Sequence, residues 1–179
     1  GNVMAPRQLD GSLPGDVGFD PVNISKDRKT LLYMREAEVK HARLAMLAAV
    51  GWPLSELYHK QLASVFGFPS ILAAGDKAPS LMNGGLDAPF ATGTLIISIL
   101  LAGILESNAM NNGQVFWGAE KDEGYTPGDL GFDPLNMNSE RNQLAEIKNG
   151  RLAMLAITAF AFQELASGLP VVQETPYLF

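Results

Sequence analysis

The alternation of charged and apolar positions along the chain predicts three long helices, at about 27–57, 91–110 and 139–167. The middle one is almost uniformly apolar from Leu95 to Leu105. With its flanks it reaches roughly 20 residues, enough to cross the hydrocarbon core of a membrane. In the two outer helices a charged segment leads directly into an apolar stretch. If they also span a membrane, charged side chains enter the bilayer.

The two outer helices are copies of each other. The segment EVKHARLAML, which begins at Glu38, recurs 108 positions later as EIKNGRLAML, which begins at Glu146. A second motif precedes each copy, as PGDVGFDP from Pro14 and PGDLGFDP from Pro127. Two paired motifs indicate an internal duplication. We therefore expect a single all-α membrane domain, 1–179, with three transmembrane helices whose first and third members form a crossed pair related by a pseudo-two-fold axis.

The charges at the start of the duplicated helices need partners if those helices span a membrane. An unpaired charge near the middle of a span costs roughly 2.5–3.5 kcal/mol on insertion scales. Glu38 and Arg43 are separated by about 140° around a helix, and so are Glu146 and Arg151, so neither pair can form within one helix. The pseudo-two-fold axis instead predicts reciprocal ion pairs, Glu38 with Arg151 and Glu146 with Arg43.

Three polar side chains and one carbonyl are candidate ligands. His41 and Asn149 hold equivalent positions in the two copies, and a tetrapyrrole magnesium with an open axial position suits both. The alternative for them is a pair of interhelical hydrogen bonds. Gln163 lies roughly 21 Å beyond Asn149 along the helix and about 40° off its face, where it would serve a second pigment layer. Pro53 leaves a carbonyl free near Gly51, another possible axial ligand.

Composition and charge narrow the class of function. The net charge is -6, and the basic residues are scattered without a run, which argues against a nucleic-acid partner. The chain has no cysteine, which excludes thiolate nucleophiles and sulfur-ligated metals. No nucleophile and base are paired by the sequence, so an enzyme is not expected.

The distribution of basic residues predicts an orientation. On a three-span topology six of them lie on or beside the N-terminal side and two on the opposite side, which places the N-terminus on the cytoplasm-equivalent face. The six are Arg7, Lys26, Arg28, Lys29, Lys121 and Arg141, and the two are Lys60 and Lys77.

The doubled motifs resemble the chlorophyll-binding light-harvesting antenna proteins of photosynthetic eukaryotes. The resemblance rests on ExxHxRxAML, ExxNGRxAML and the GFDP turn before each, and it covers nearly the whole chain. It implies a multi-pass thylakoid protein with a stromal N-terminus that binds chlorophyll a and carotenoids and transfers excitation energy to a photosystem. The implied chlorophyll-binding residues are Glu38, His41, Gly51 through its carbonyl, Glu106, Glu146, Asn149 and Gln163, with Arg43 and Arg151 as the neutralising partners.

The chain departs from the green-plant pattern in the middle helix, and a motif after the first helix points to the red-lineage branch. Green-plant members have Glu-x-x-Arg in the middle helix, whereas Ser107 to Ala109 follow Glu106 here, so its charge lacks that partner. GWPLSE from Gly51 looks more like the fucoxanthin chlorophyll a/c proteins or the red-algal photosystem I antennae. This branch implies chlorophyll c and fucoxanthin-type or other xanthophylls. The implied partners are a photosystem core, with photosystem I favoured, neighbouring antenna proteins and thylakoid lipids.

Other interpretations stay open at this point. A photoprotective member of the same superfamily would bind fewer chlorophylls and quench excitation, and a pigment-free membrane scaffold would bind none. His59, beyond Pro53, could bind an extra chlorophyll or simply face water. The green-plant C-terminal amphipathic helix is missing, so the tail 170–179 is expected to be extended or to make a peripheral contact.

Overall fold

The computed structural model describes residues 9–67, 69–87, 89–111, 127–129 and 133–176. Its elements are α1 Arg28–Phe66, a short 3-10 helix Gly85–Asp87, α2 Pro89–Asn111, α3 Glu140–Ser167 and α4 Val171–Glu174. These ranges contain no strand, only an isolated bridge between Ala73 and Lys77. Arg7 and Lys121, two of the six basic residues that predict the orientation, lie outside the described residues.

Helix α1 is longer than the apolar pattern predicts. The predicted end is Leu57, but the helix continues to Phe66 and includes Pro53 in its interior. Backbone hydrogen bonding does not require an apolar surface, and the polar residues Lys60 and Gln61 are good helix formers. The end of the apolar stretch therefore marks where the surface changes, not where the helix ends.

Within the described residues, one helix is long and apolar enough to cross a membrane by itself. It is Pro89–Ser107 in α2, with a mean hydropathy of 1.8. Helices α1 and α3 were also expected to span a membrane. Both are continuous, but Glu, Lys and Arg residues interrupt their apolar sequence. Helices α1 and α3 can therefore span a membrane only if those charges are neutralised.

The chain divides into two compact units. The first unit comprises 1–44 and 106–152, and it holds both GFDP turns and the charged starts of α1 and α3. The second unit comprises 45–105 and 153–179, and it holds the apolar part of α2 and the C-terminal parts of α1 and α3. We describe each unit separately.

In the first unit α1 and α3 are in close contact at the repeat-equivalent positions Ala42 and Gly150. Ala42 is fully buried, and a Cβ atom added to Gly150 would overlap the Cβ of Ala42. Only a residue without a side chain fits at this point of α3. The duplicated motif differs here for a packing reason, because two alanines would force the helices apart.

The turn of each copy packs on the helix of the other copy. A Cβ on Gly15 would lie 2.9 Å from Cγ2 of Ile147 on α3, and a Cβ on Gly128 would lie 2.6 Å from Cγ1 of Val39 on α1. Both glycines also have positive φ, +72° and +83°, which side chains rarely adopt. The contacts are reciprocal because Val39 and Ile147 are themselves equivalent in the repeat.

Each GFDP turn is closed by its own aspartate. Asp20 accepts hydrogen bonds from the backbone N–H groups four and five residues later, at 3.1 and 2.9 Å. Asp133 does the same at 3.0 and 2.7 Å. Asn23 and Asn136 in these turns have φ of +55° and +50°, a conformation that Asn tolerates. The backbone hydrogen bonds hold the pKa of both carboxyl groups below its usual value.

This turn geometry predicts a pH dependence. A carboxyl group whose pKa is lowered by folding contributes stability above its unfolded pKa, about 3.9, and this contribution is lost as pH falls through the folded pKa. Asp133→Asn should therefore lower the unfolding midpoint at pH 7, as followed by far-ultraviolet circular dichroism in detergent. The gap to the wild type should close below about pH 4. An equal gap at both pH values would show that the Asp133 charge is not involved.

In the second unit a buried carboxylate joins α1, α3 and the segment 69–87. Glu164, only 5% exposed, accepts hydrogen bonds from Trp52 Nε1 at 3.2 Å and from Asn83 Nδ2 at 2.7 Å. Glu56, its counterpart 108 positions earlier, also accepts from Trp52 Nε1 and binds the N–H of Val172 at 3.0 Å. Residues 171–174 of the tail are therefore not extended, because they form the short α4, which is held on α1 by the hydrogen bond of Val172 to Glu56.

Candidate functional site

The duplicated motifs place two reciprocal ion pairs between α1 and α3 in the first unit. Arg151 Nε lies 2.8 Å from Glu38 Oε1, and Arg43 Nε lies 2.6 Å from Glu146 Oε1. All four side chains are partly buried. Each carboxylate is thus neutralised by the other helix, as the spacing within each helix requires.

The two ion pairs are not equivalent. Arg151 also donates from Nη1 to the carbonyl of Gly15 at 2.9 Å, so it connects α3 with α1 and with the first turn. Arg35 Nε lies 3.2 Å from the second oxygen of Glu38, which therefore has a cation at each oxygen. The repeat counterpart of Arg35 is the uncharged Gln143. The Glu38–Arg151 pair consequently makes more polar contacts than the Glu146–Arg43 pair.

Glu106 has a partner that the sequence analysis missed. Lys40 Nζ on α1 lies 2.6 Å from Oε2 of Glu106 on α2, and 3.3 Å from Oε1 of Glu36. A lysine from another helix thus takes the place of the arginine that green-plant members carry in the middle helix. Lys40 cannot be singled out from the sequence, because the repeat has an equivalent lysine, Lys148, and α2 has no repeat copy from which to infer a partner.

The charges of this network balance. Among the described residues of the first unit, five ion pairs join four cations to four carboxylates. The cations are Arg35, Lys40, Arg43 and Arg151, and the carboxylates are Glu36, Glu38, Glu106 and Glu146. This pairing removes most of the free-energy cost that unpaired charges would add to the insertion of α1 and α3 into a membrane.

His41 and Asn149 each direct one polar atom outward. His41 Nδ1 donates to the carbonyl of Ala37 at 2.7 Å, which leaves the lone pair of the neutral ring on Nε2. Asn149 Nδ2 donates to the carbonyl of Ala145 at 2.9 Å, which leaves Oδ1. Both side chains are exposed and neither bonds another helix in the described part of the chain. This geometry disfavours the interhelical hydrogen-bond alternative and fits an axial ligand for magnesium.

The carboxylates keep ligand capacity as well. Within the described ranges, Oε2 of Glu146 and Oε1 of Glu106 receive no hydrogen bond, while the other oxygen of each binds its cation. A carboxylate held in this way is a neutral pair with one open oxygen. Such a donor suits a hard magnesium ion without adding net charge to an apolar site.

The remaining candidate ligands lie in the second unit. Gly51 is exposed, and a Cβ added to it would meet nothing within 4 Å, so there is open space beside it. Gln163 is half-buried, and its amide makes no hydrogen bond to any described residue. His59 is different, because its Nε2 accepts the N–H of Ile71 at 2.9 Å. That nitrogen holds the segment after α1 and is not available to a ligand.

Comparison with known proteins identifies the family. Residues 5–165 match the family model described as Chlorophyll A-B binding protein. The chain belongs to this family. Its relatives include the light-harvesting complex I LH38 proteins of Euglena gracilis, 35% identical over 93% of this chain. The fucoxanthin-chlorophyll a-c binding protein of Chattonella marina var. antiqua is 34% identical over 87% of this chain. Photosystem I chlorophyll a/b-binding protein 5 of Arabidopsis thaliana is 34% identical over 88% of it.

The match confirms the resemblance seen in the doubled motifs. The family consists of light-harvesting pigment proteins, not of enzymes. The chain spans 27% of the length of the Euglena relative, 67% of the Chattonella relative and 66% of the Arabidopsis relative.

Proposed function

We propose that this chain is a thylakoid antenna protein that binds chlorophylls and carotenoids, captures light and passes the excitation energy to a photosystem. The observation that carries the proposal is the outward-facing lone pair at the two equivalent positions His41 and Asn149. When bound, chlorophyll supplies the light absorption. The side chains of the protein hold each macrocycle at a fixed place and orientation.

The proposed ligand set has three kinds of donor. Glu38, Glu106 and Glu146 bind as carboxylates, each neutralised by a cation on another helix. Glu106 and Glu146 bind through the oxygen that no described residue bonds, and Glu38, which has an arginine at each oxygen, binds through a remaining lone pair. His41, Asn149 and Gln163 bind as neutral side chains, and Gly51 binds through its carbonyl. The exposed apolar surface of the helices accommodates the carotenoids and lipids, since large apolar residues such as Leu47, Ile97 and Leu155 are more than half exposed.

We further propose three membrane spans, with α1 and α3 crossing beside α2 and the N-terminus at the stroma. The balanced ion pairs support spanning by α1 and α3, and the basic residues Lys26, Arg28 and Lys29 near the start of α1 support the orientation. Protease added to the stromal face should cleave before α1. Cleavage between α1 and α2 instead, near Lys77, would reverse the topology.

The Euglena and Arabidopsis relatives, named for light-harvesting complex I and photosystem I, support a photosystem I association. The Chattonella relative, a fucoxanthin-chlorophyll a-c binding protein, supports a red-lineage pigment set with fucoxanthin-type carotenoids and chlorophyll c. Pigment analysis by chromatography and copurification with photosystem I after mild solubilisation test these two points. Chlorophyll b in place of chlorophyll c would assign the protein to the green-plant branch.

Replacing single ligands tests the proposed function. His41→Leu should retain the fold and lose about one chlorophyll per chain, because axial coordination is what holds a macrocycle that otherwise makes apolar contacts. His59→Leu is the matched control and should keep the full count, since Nε2 of His59 is bonded to the backbone. Chlorophyll counts after reconstitution decide the matter. Equal counts in the two variants would remove His41 from the ligand set, and a wild type without chlorophyll would overturn the function.

A further inference from the structure

The middle helix breaks the symmetry of the duplication at one residue pair. Lys40 and Lys148 are equivalent in the repeat, and both follow the glutamate of the motif by two positions. Lys40 binds Glu106 of α2 at 2.6 Å, whereas Lys148 is exposed and makes no ion pair among the described residues. One copy of the motif has thus acquired a contact that the other lacks.

We propose that Lys40 is a positioning residue for a chlorophyll at Glu106, because it neutralises this carboxylate and so makes it a ligand. This inference rests on the proposed function and adds to it a residue that the ligand motifs do not contain. The carboxylate of Glu106 cannot be compensated from its own helix, since Ser107 to Ala109 carry no charge. Lys40 supplies the missing positive charge from α1.

The geometry around Lys40 suits this role. Its ammonium group binds two carboxylates, Oε2 of Glu106 and Oε1 of Glu36. Glu36 is 4% exposed and also accepts the N–H of Gly128 at 2.6 Å, so it is itself held in place. Lys40 is therefore anchored on its own helix by one carboxylate while it orients the other. Oε1 of Glu106 remains free to face a magnesium ion.

The alternative is a purely structural role, in which Lys40 only holds α2 on α1 and does not affect the ligand. A bare carboxylate is a poor ligand in an apolar site because it brings a net charge. An amide is neutral without any partner, and its oxygen still suits magnesium. Replacing Glu106 with Gln should therefore make the site independent of Lys40 if neutralisation is what matters. The site should still depend on Lys40 if the lysine is needed to hold α2 on α1.

The test uses Lys40→Met, Glu106→Gln, their combination and the matched control Lys148→Met, each reconstituted with pigments. Chlorophyll per chain and visible circular dichroism are measured, with far-ultraviolet circular dichroism to verify helix content. Lys40→Met should lose about one chlorophyll and the dichroic bands that belong to it. Lys148→Met should keep the wild-type count, and Glu106→Gln alone is the reference for the double variant. The double variant Lys40→Met with Glu106→Gln should regain the lost chlorophyll.

Two results would overturn the inference while leaving the proposed function intact. Lys40→Met could keep the wild-type chlorophyll count or lose no more than Lys148→Met does, which would make the ion pair irrelevant to pigment binding. The double variant could stay one chlorophyll short, which would show that Lys40 only holds α2 on α1. If the wild type itself binds no chlorophyll, the proposed function fails and not merely the role of Lys40.

Discussion

Arg151→Leu is expected to abolish reconstitution of the protein with pigments. Arg151 is the one arginine of the two reciprocal ion pairs that also reaches a turn, through the 2.9 Å hydrogen bond to the Gly15 carbonyl. Its loss leaves Glu38 with Arg35 alone at 3.2 Å and leaves the Gly15 carbonyl without this donor. Breaking a fully buried ion pair typically costs about 3–5 kcal/mol. The pair of Arg151 and Glu38, with side chains 38% and 25% exposed, costs less in water because solvent screens it. An antenna protein stabilised by about 5–15 kcal/mol cannot absorb such a loss easily.

Two other variants make this expectation specific. Arg43→Leu should be milder, because Glu146 is the only partner of Arg43 among the described residues. Asn149→Val, beside Arg151 on α3, should only remove one chlorophyll and shift the red absorption. The measurement is pigment reconstitution yield and the thermal midpoint by visible circular dichroism. If Arg151→Leu and Asn149→Val reconstitute equally well with the same midpoint, the reciprocal Glu–Arg pairs do not hold the helices together.

Gly150→Val should also prevent assembly, for a steric reason. A Cβ at position 150 would overlap the Cβ of Ala42, and an atom bonded directly to the backbone cannot rotate away. Overpacking of this kind costs roughly 1–3 kcal/mol, occasionally more. The cost should be at the upper end here, because separating α1 from α3 also lengthens both Glu–Arg pairs, which lie next to the contact.

The control for Gly150→Val is the same substitution at Gly93 in α2. A Cβ there meets nothing within 4 Å, so only the propensity of the helix changes. Gly93→Val should assemble with the wild-type chlorophyll count and nearly the same thermal midpoint. Comparable losses in the two variants would mean that valine disturbs any helix of this protein and that the contact with Ala42 is not special.

The reciprocal ion pairs could be predicted from the sequence because three constraints act on the same residues. Glu38 and Arg43 cannot meet within their helix, a spanning helix cannot leave them unpaired, and the duplication offers one symmetric solution. The close approach at Ala42 and Gly150 fits the same symmetry. Here elementary helix geometry is sufficient, since the partners are set by spacing and not by the details of loops.

The remaining features depend on contacts that no repeat predicts. The partner of Glu106 is on another helix, and Lys40 is indistinguishable in sequence from Lys148. The role of His59 depends on the path of the chain back to Ile71, which is set by tertiary packing. The end of α1 was misplaced because apolar periodicity reports a surface, whereas backbone hydrogen bonds decide where a helix ends.

The most direct test of the account is the pigment content and spectrum of the purified wild-type protein. Chlorophyll Soret and red bands should be present at several chlorophylls per chain, and carotenoid absorption should appear in the excitation spectrum of chlorophyll fluorescence. A low ratio of chlorophyll to carotenoid with quenched fluorescence would instead assign the protein to energy dissipation. A correctly folded protein without pigment bands would contradict the account, because Glu38, His41, Glu146 and Asn149 would then have no magnesium to bind.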